Sequence, residues 1–207
     1  MARSGRLVET VKLLDNVSGE STPNQRILAR QIGISVGMVN ALMHRAVTKG
    51  LIKIKEAPAR RYAYYLTPKG FAEKSRLVSE YLDVSLTFFR TARREYSELF
   101  ARCVATGQRR IIMCGAGELT EIAMLAVDGF DLDIIAVFDP QAGEEKVLGL
   151  RVLRNLSQIE ADCTFIITDG RKPQESYERL ATVVEHKRIL APPLLRILPC
   201  SEKKDAN

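Results

Sequence analysis

The chain has 207 residues, of which 46% are apolar and 27% charged, a balance that argues against wholesale disorder and leaves room for one large domain or two small ones. No apolar run reaches the roughly 18 residues that cross a bilayer, and the opening MARSGRLVETVK lacks the apolar segment of a secretory signal, so a cytoplasmic protein with no membrane partner is expected. The net charge of +6 is unevenly spread: residues 1–107 carry 18 Lys and Arg against 9 Asp and Glu, whereas residues 108–207 carry 13 against 16. A basic surplus confined to the first half suits a polyanionic partner, because each cation placed on a phosphate releases counterions.

Residues 6–15, RLVETVKLLD, have the apolar spacing of an amphipathic helix. A breaker-rich stretch follows, in which Thr22 and Pro23 offer a helix start. The helix after it, NQRILARQI, is expected to bury Ile27, Leu28 and Ile32 and to end at Gly33. Ser35 can then cap a third helix with Val39, Leu42, Met43, Ala46 and Val47 inward. Two helices joined by Gly-Ile-Ser make a helix-turn-helix. Its outward face, Ser35, Gly37, Met38, Asn40, Ala41, His44 and Arg45, suits a DNA groove. Small residues there permit close approach, Asn40 can pair with adenine edges, and Arg45 can reach guanine or phosphate.

After Gly50, LIKIKEA alternates like a strand, PARR turns, and YAYYLT returns, giving a hairpin wing. Lys53 and Lys55 on the first strand and Arg60 and Arg61 at the tip are further candidates for phosphate or minor-groove contact. The segments QRILARQIGISVGMVNALMHRAVTKGLIK and YAYYLTPKGFAEK resemble the MarR-type winged helices, most closely the small regulators associated with exopolysaccharide gene clusters. The likeness runs from about Asn24 to Phe100. It implies sequence-specific, dimeric binding to double-stranded DNA.

Residues 71–104 read as one long helix with a heptad-like seam through Val78, Leu82, Ser85, Phe89, Ala92, Tyr96, Leu99 and Cys103, widened by Leu77, Tyr81, Val84 and Phe88. This predicts a homodimer through the helix; packing within one chain is the alternative.

Beyond residue 108 strands alternate with helices: RRIIMC, ELTEIAMLAVDG, LDIIAVFD, then GLRVL, DCTFIIT, SYERLATVVEHK and RIL. The pattern predicts a small doubly wound parallel sheet. Gly115 permits a tight turn after the first strand, Gly117 removes a Cβ from the path of a diphosphate, and Asp139, at the end of the second strand, can accept a ribose hydroxyl. Thr120 stands where the third small residue of the dinucleotide fingerprint belongs, and Glu118 adds negative charge beside the turn. A variant pocket and a vestige are both compatible with that departure.

GAG and AVFDP with VLGLRVL resemble the sensor domain of Rex repressors and the nucleotide-sugar-binding lobe that precedes sugar acetyltransferase domains. The likeness implies that Gly115, Ala116, Gly117, Glu118 and Asp139 line a ligand, with Thr168, Asp169 and Gly170 facing them. It also implies NAD(H) or a nucleotide sugar as effector.

The cysteines form no CxxC pair, so no metal site is expected, and Cys114 and Cys163 in apolar runs read as buried hydrophobes. His186, beside Lys187 and Arg188, reads as a surface residue. No His or Tyr plus Lys set stands at the strand ends, which argues against an enzyme.

The expected fold class is α/β overall. A winged helix-turn-helix DNA-binding domain occupies 1–70, a linking and dimerisation helix 71–107, a Rossmann-like nucleotide-binding sensor domain 108–198, and a disordered tail 199–207. The combined reading is a transcriptional regulator that senses a nucleotide-containing small molecule. An accessory to a nucleotide-sugar- or NAD-dependent enzyme, and a regulator whose second domain only binds a protein partner, are the alternatives.

Overall fold

The computed structural model describes residues 2–17, 24–57, 61–156 and 162–198. The described residues form six α-helices, a two-stranded hairpin and a mixed six-stranded sheet, an α/β protein. None of the helices is long and apolar enough to cross a membrane. The chain divides into two compact units, Met1–Leu86 and Thr87–Asn207.

The first unit holds α1 (Ala2–Val17), α2 (Gln25–Ile32), α3 (Val36–Thr48), β1 (Ile52–Ala57) and β2 (Arg61–Leu66). Helix α2 starts after Asn24, whose side chain accepts the Ile27 N–H at 3.0 Å. The cap is thus Asn24, two residues after Thr22, which lies outside the described residues. An Asn carbonyl reaches the third helical amide as readily as a hydroxyl does.

Gly33 then takes the left-handed conformation, φ +83°, and donates to Ala29 O at 2.9 Å. That turn sends the chain into α3, where Ser35 accepts from Met38 N–H at 3.2 Å. Leu28, Ile32, Val39, Leu42 and Met43 pack with Leu13, Leu14, Leu51 and Ile52 in one core. Ile27 stays 44% exposed, contrary to expectation, and Ala29 is buried in its place; an eight-residue helix presents too few turns for a wide apolar stripe.

Helix α4 (Pro68–Ala105) starts from Thr67, whose hydroxyl accepts from Gly70 N–H at 3.0 Å and donates to Gly50 O at 2.7 Å. A Cβ on Gly70 would stand 2.1 Å from Leu51 O, so only glycine lets the helix approach the hairpin this closely. The 38-residue helix serves both units. Of the heptad positions, Ala92, Tyr96, Leu99 and Cys103 are buried in the second unit's own core, while Leu82 is exposed and Val78, Ser85 and Phe89 are half-buried. The C-terminal half of the seam therefore packs within the chain.

The second unit adds β3 (Arg110–Cys114), α5 (Glu118–Val127), β4 (Asp133–Phe138), β5 (Lys146–Val147), β6 (Leu150–Leu153), β7 (Thr164–Ile167), α6 (Pro173–Ala181) and β8 (Ile189–Leu190). The strand order is β5-β6-β4-β3-β7-β8, parallel except for the β5–β6 hairpin. Alternation along β3 sends Ile111 and Met113 to the face covered by α4 and α5, and Ile112 and Cys114 to the face covered by α6. Tyr96, fully buried, donates its hydroxyl to Ile167 O at 3.0 Å. Burial, with the neighbouring Glu95 charge, pushes that phenol up, so it remains a donor. Glu95 in turn accepts from Leu194 N–H at 2.7 Å.

The β5–β6 turn places Leu148 at φ +52° and Gly149 at φ +80°, as a two-residue hairpin loop with both central residues left-handed requires. Leucine is an unfavourable occupant of such a position, and here its side chain is 51% exposed. Leu148→Asn is expected to raise stability by about 0.5–1 kcal/mol, read as a higher denaturant midpoint at an unchanged slope.

Candidate functional site

Two regions gather the residues singled out in the sequence. On the first unit, Ser35, Gly37, Met38, Asn40, Ala41, His44 and Arg45 are all exposed, while Val39, Leu42, Met43 and Ala46 beneath them are buried. The capped N-terminus of α3 thus presents an open face of small and polar residues with Val36 and Met38 exposed among them. Asn40 holds only a long 3.4 Å contact from Gln25 Nε2, which leaves its amide available. Arg26, Arg30, Arg45, Lys49, Lys53 and Lys55 are exposed, and among the described residues none is in a salt bridge. On the hairpin, Lys53 pairs with Tyr65 and Lys55 with Ala63, so period-two alternation puts both lysines on one face. Arg61 opens β2 opposite Ala57, and Arg60 lies outside the described residues.

On the second unit the residues converge at the carboxyl ends of β3, β4 and β7, around a cleft of about 410 Å³. Its floor is the turn after β3. Gly115 has φ +125°, and a Cβ there would stand 2.5 Å from Asp169 N and 2.7 Å from Asp169 Cα. Gly115 is therefore the glycine that the fold itself demands, since it lets the turns after β3 and β7 touch backbone to backbone. Gly117 is different: its backbone is extended, φ −128°, and a Cβ would meet nothing within 4 Å.

Thr120, the departure from the fingerprint, is fully buried and lies within hydrogen-bond reach of both Gly115 O and Thr168 Oγ1, the latter at 2.8 Å. Thr168, also fully buried, reaches Gly115 O at 3.1 Å. With one proton per hydroxyl, Thr168 donates to the carbonyl and accepts from Thr120, or Thr120 takes the carbonyl itself. The branched side chain that breaks the motif thus ties the turn to the neighbouring strand. Cys114, at the end of β3, is buried, and burial pushes its thiol up, which makes it a packing residue.

Both acids expected at the ligand also hold loops. Asp139 accepts Ala116 N–H at 3.0 Å and Gln141 N–H at 2.8 Å. Asp169 accepts Arg171 N–H at 2.8 Å, Lys172 N–H at 3.0 Å and the Ser176 hydroxyl at 2.6 Å. Burial works to raise the Asp169 pKa, but the Ser176 hydroxyl, the two amides and the Arg171 charge together hold it below the ordinary value.

Gly115, Ala116, Asp139 and Asp169 line the cleft, whereas Gly117, Glu118 and Thr168 do not. The cationic side of the cleft, Arg171, Lys172 and Arg179, is absent from the sequence reading. Those cations lie more than 50 residues beyond the glycine turn and meet it only through the parallel β3–β7 pairing. Arg154 braces the opposite rim, donating to Ala142 O, Gly143 O and Glu144 O at 3.1–3.3 Å.

The sequence matches no family model and no curated protein. Among solved structures the chain is similar to "PigF with SAH", at 13% identity over 92% of this chain and 56% of that one, with a TM-score of 0.24. The chain thus spans little more than half the length of that structure, and so low a score establishes neither a shared fold nor a shared reaction. The expectation that the chain is not an enzyme is withdrawn, since neither this match nor the described residues support an exclusion of catalysis.

Gly115→Ala is expected to cost about 2–5 kcal/mol through strain and overlap, whereas Gly117→Ala changes stability by less than about 0.5 kcal/mol; urea unfolding of both variants checks the contrast. Because the Asp169 pKa is depressed in the fold, its stabilisation is fully present above the ordinary aspartate pKa and is lost as pH falls through the folded value. The gap in melting temperature between the native protein and Asp169→Asn should therefore be constant near neutrality and close below about pH 4.

Proposed function

We propose that the protein is a DNA-binding transcriptional regulator of winged helix-turn-helix type, whose Rossmann-like second unit senses a nucleotide-containing metabolite. The observation that carries the DNA half is the exposed α3 face, headed by small residues and flanked by six exposed cations without salt-bridge partners among the described residues. A capped helix with Gly37 and Ala41 outward can lie close to base edges, and Asn40 and Arg45 have the donors and acceptors to read them. Lys53 and Lys55, on one face of the wing, supply phosphate contacts that fix the register of the helix on the duplex.

The sensing half is supported by the position of the cleft. It lies at the carboxyl ends of the strands, with β4 on one side of β3 and β7 on the other, which is where parallel sheets place their ligands. Helix α4 supplies the material link: Tyr96 is bonded to Ile167 O, the carbonyl just before the Thr168–Asp169 loop. A ligand alters DNA affinity only if it binds the DNA-competent state better or worse than the other state, however tightly it binds overall.

A homodimer on double-stranded DNA completes the reading. Tyr81, Leu82, Val84, Leu86 and Phe88 are each about half exposed along the middle of α4, an unusual run of bare apolar side chains. With the seam beyond Ala92 consumed inside the chain, this stretch is the part of the helix left for a second copy. Two copies would read two half-sites.

Arg45→Ala and Lys53→Ala are expected to separate the two kinds of contact. The first relaxes base preference at one position and costs about 1–3 kcal/mol; the second weakens specific and random duplex alike and lowers the slope of log affinity against log salt by about one. Fluorescence anisotropy against promoter fragments across a salt series measures both, and an unchanged slope in every lysine and arginine variant would overturn the DNA reading. Leu82→Glu with Phe88→Glu should convert the dimer to monomer in sedimentation velocity while leaving the melting temperature close to native.

A further inference from the structure

The sensor cleft has two chemically unlike sides, and they bear on where a charged ligand can sit. On the glycine-turn side the Ala116 N–H is already donated to Asp139 at 3.0 Å, and the Thr120 N–H is donated to Gly117 O at 2.9 Å. The first turn of α5 adds Glu118 and Glu121. A diphosphate placed on the turn would meet the Asp139 carboxylate and would have to displace it from the Ala116 amide.

The side formed by α6 and the loop before it carries the carboxylates of Asp169 and Glu175 too, but sets three cations, Arg171, Lys172 and Arg179, beside them. Lys172 is paired with Glu175 at 2.9 Å, but Arg171 and Arg179 are exposed, line the same cleft, and are in no salt bridge among the described residues. The backbone that carries Arg171 is fixed by the Asp169 carboxylate, which spares its guanidinium the cost of ordering the loop. The cleft is also lined by Pro140 and Val147, apolar surface that suits an uncharged group, over the buried Phe138.

We propose that this cleft takes a phosphate ester of mononucleotide size, with its phosphate held by Arg171 and Arg179 and its uncharged part over Pro140 and Val147, so that the anion sits across the cleft from the glycine turn. The inference rests on the sensor reading above and adds to it the ligand's charge, size and polarity of placement. Two planar guanidinium forks match phosphate oxygens in bidentate fashion, which a paired lysine cannot do. The volume of about 410 Å³ falls toward the small end of ligand pockets, which span about 300–1,000 Å³. That size suits a nucleoside phosphate or a sugar phosphate better than a full dinucleotide.

The test is isothermal titration of the full-length protein with UDP, glucose 1-phosphate, uridine, inorganic pyrophosphate and NADH, repeated on Arg171→Ala, Arg179→Ala and Gly117→Ala, each first checked for a native melting transition. The expected result is binding of UDP or glucose 1-phosphate, with the stronger of the two telling a nucleoside from a sugar ester. Each arginine variant should weaken that binding at least tenfold, Gly117→Ala should stay within twofold of native, and NADH should bind no tighter than the smaller ester. Loss of binding in Gly117→Ala with the arginine variants unaffected would return the phosphate to the glycine turn and overturn the proposal, leaving the sensor reading intact. Uridine binding as tightly as UDP, or pyrophosphate as tightly as either ester, would overturn it as well. Native protein that binds none of the five would remove the sensor reading itself.

Discussion

The second unit depends on a close backbone contact at the end of its central strand. A side chain on Gly115 would overlap Asp169, so the turns after β3 and β7 touch directly, and the carbonyl between them is secured by the Thr168 and Thr120 hydroxyls. Several features follow from that contact. It fixes the start of α5, sets the Asp169 loop that begins α6, and brings Ile167 O to the position where Tyr96 can bond it. Strands of four or five residues have little register information of their own. A glycine that admits only one neighbour, with two buried threonines to satisfy it, supplies that information locally.

Helix α4 meets two demands with one sequence. Its last four turns carry Ala92, Tyr96, Leu99, Phe100 and Cys103 into the sheet's core, where Tyr96 can be buried only because its hydroxyl finds a carbonyl. Its first turn is held to the hairpin by Thr67 and by the absence of a side chain on Gly70. Between these anchored ends lies the exposed apolar stretch from Tyr81 to Phe88. Helical propensity alone would not account for so long an element; the two packed ends hold the middle in register.

How much of this was legible in the sequence depends on whether the signal was local. Ser35 as a cap, Gly33 as a left-handed stop and the inward set Val39, Leu42, Met43 and Ala46 are short-range and were readable. The parallel strands were readable as apolar runs, although β5 is only two residues long and escaped notice. The seam on α4 was visible as periodicity, but periodicity does not say whether the partner is a second helix or the chain's own sheet. Asp139 was located correctly at the end of β4, yet its carboxylate is engaged by two amides, a fact of three-dimensional closure. Thr120 looked like a defect because the fingerprint assigns that position to packing alone; its hydroxyl has a use only when Thr168 is beside it. Arg171 and Arg179 were missed for the same reason.

The three carbonyls gathered by Arg154 bear on how a small molecule would arrive. A rim knotted by its own guanidinium is shaped before any visitor comes, so capture need not wait for a strand of peptide to find its form. Little entropy is then forfeited at the moment of docking. The doorway on that side stands ready made.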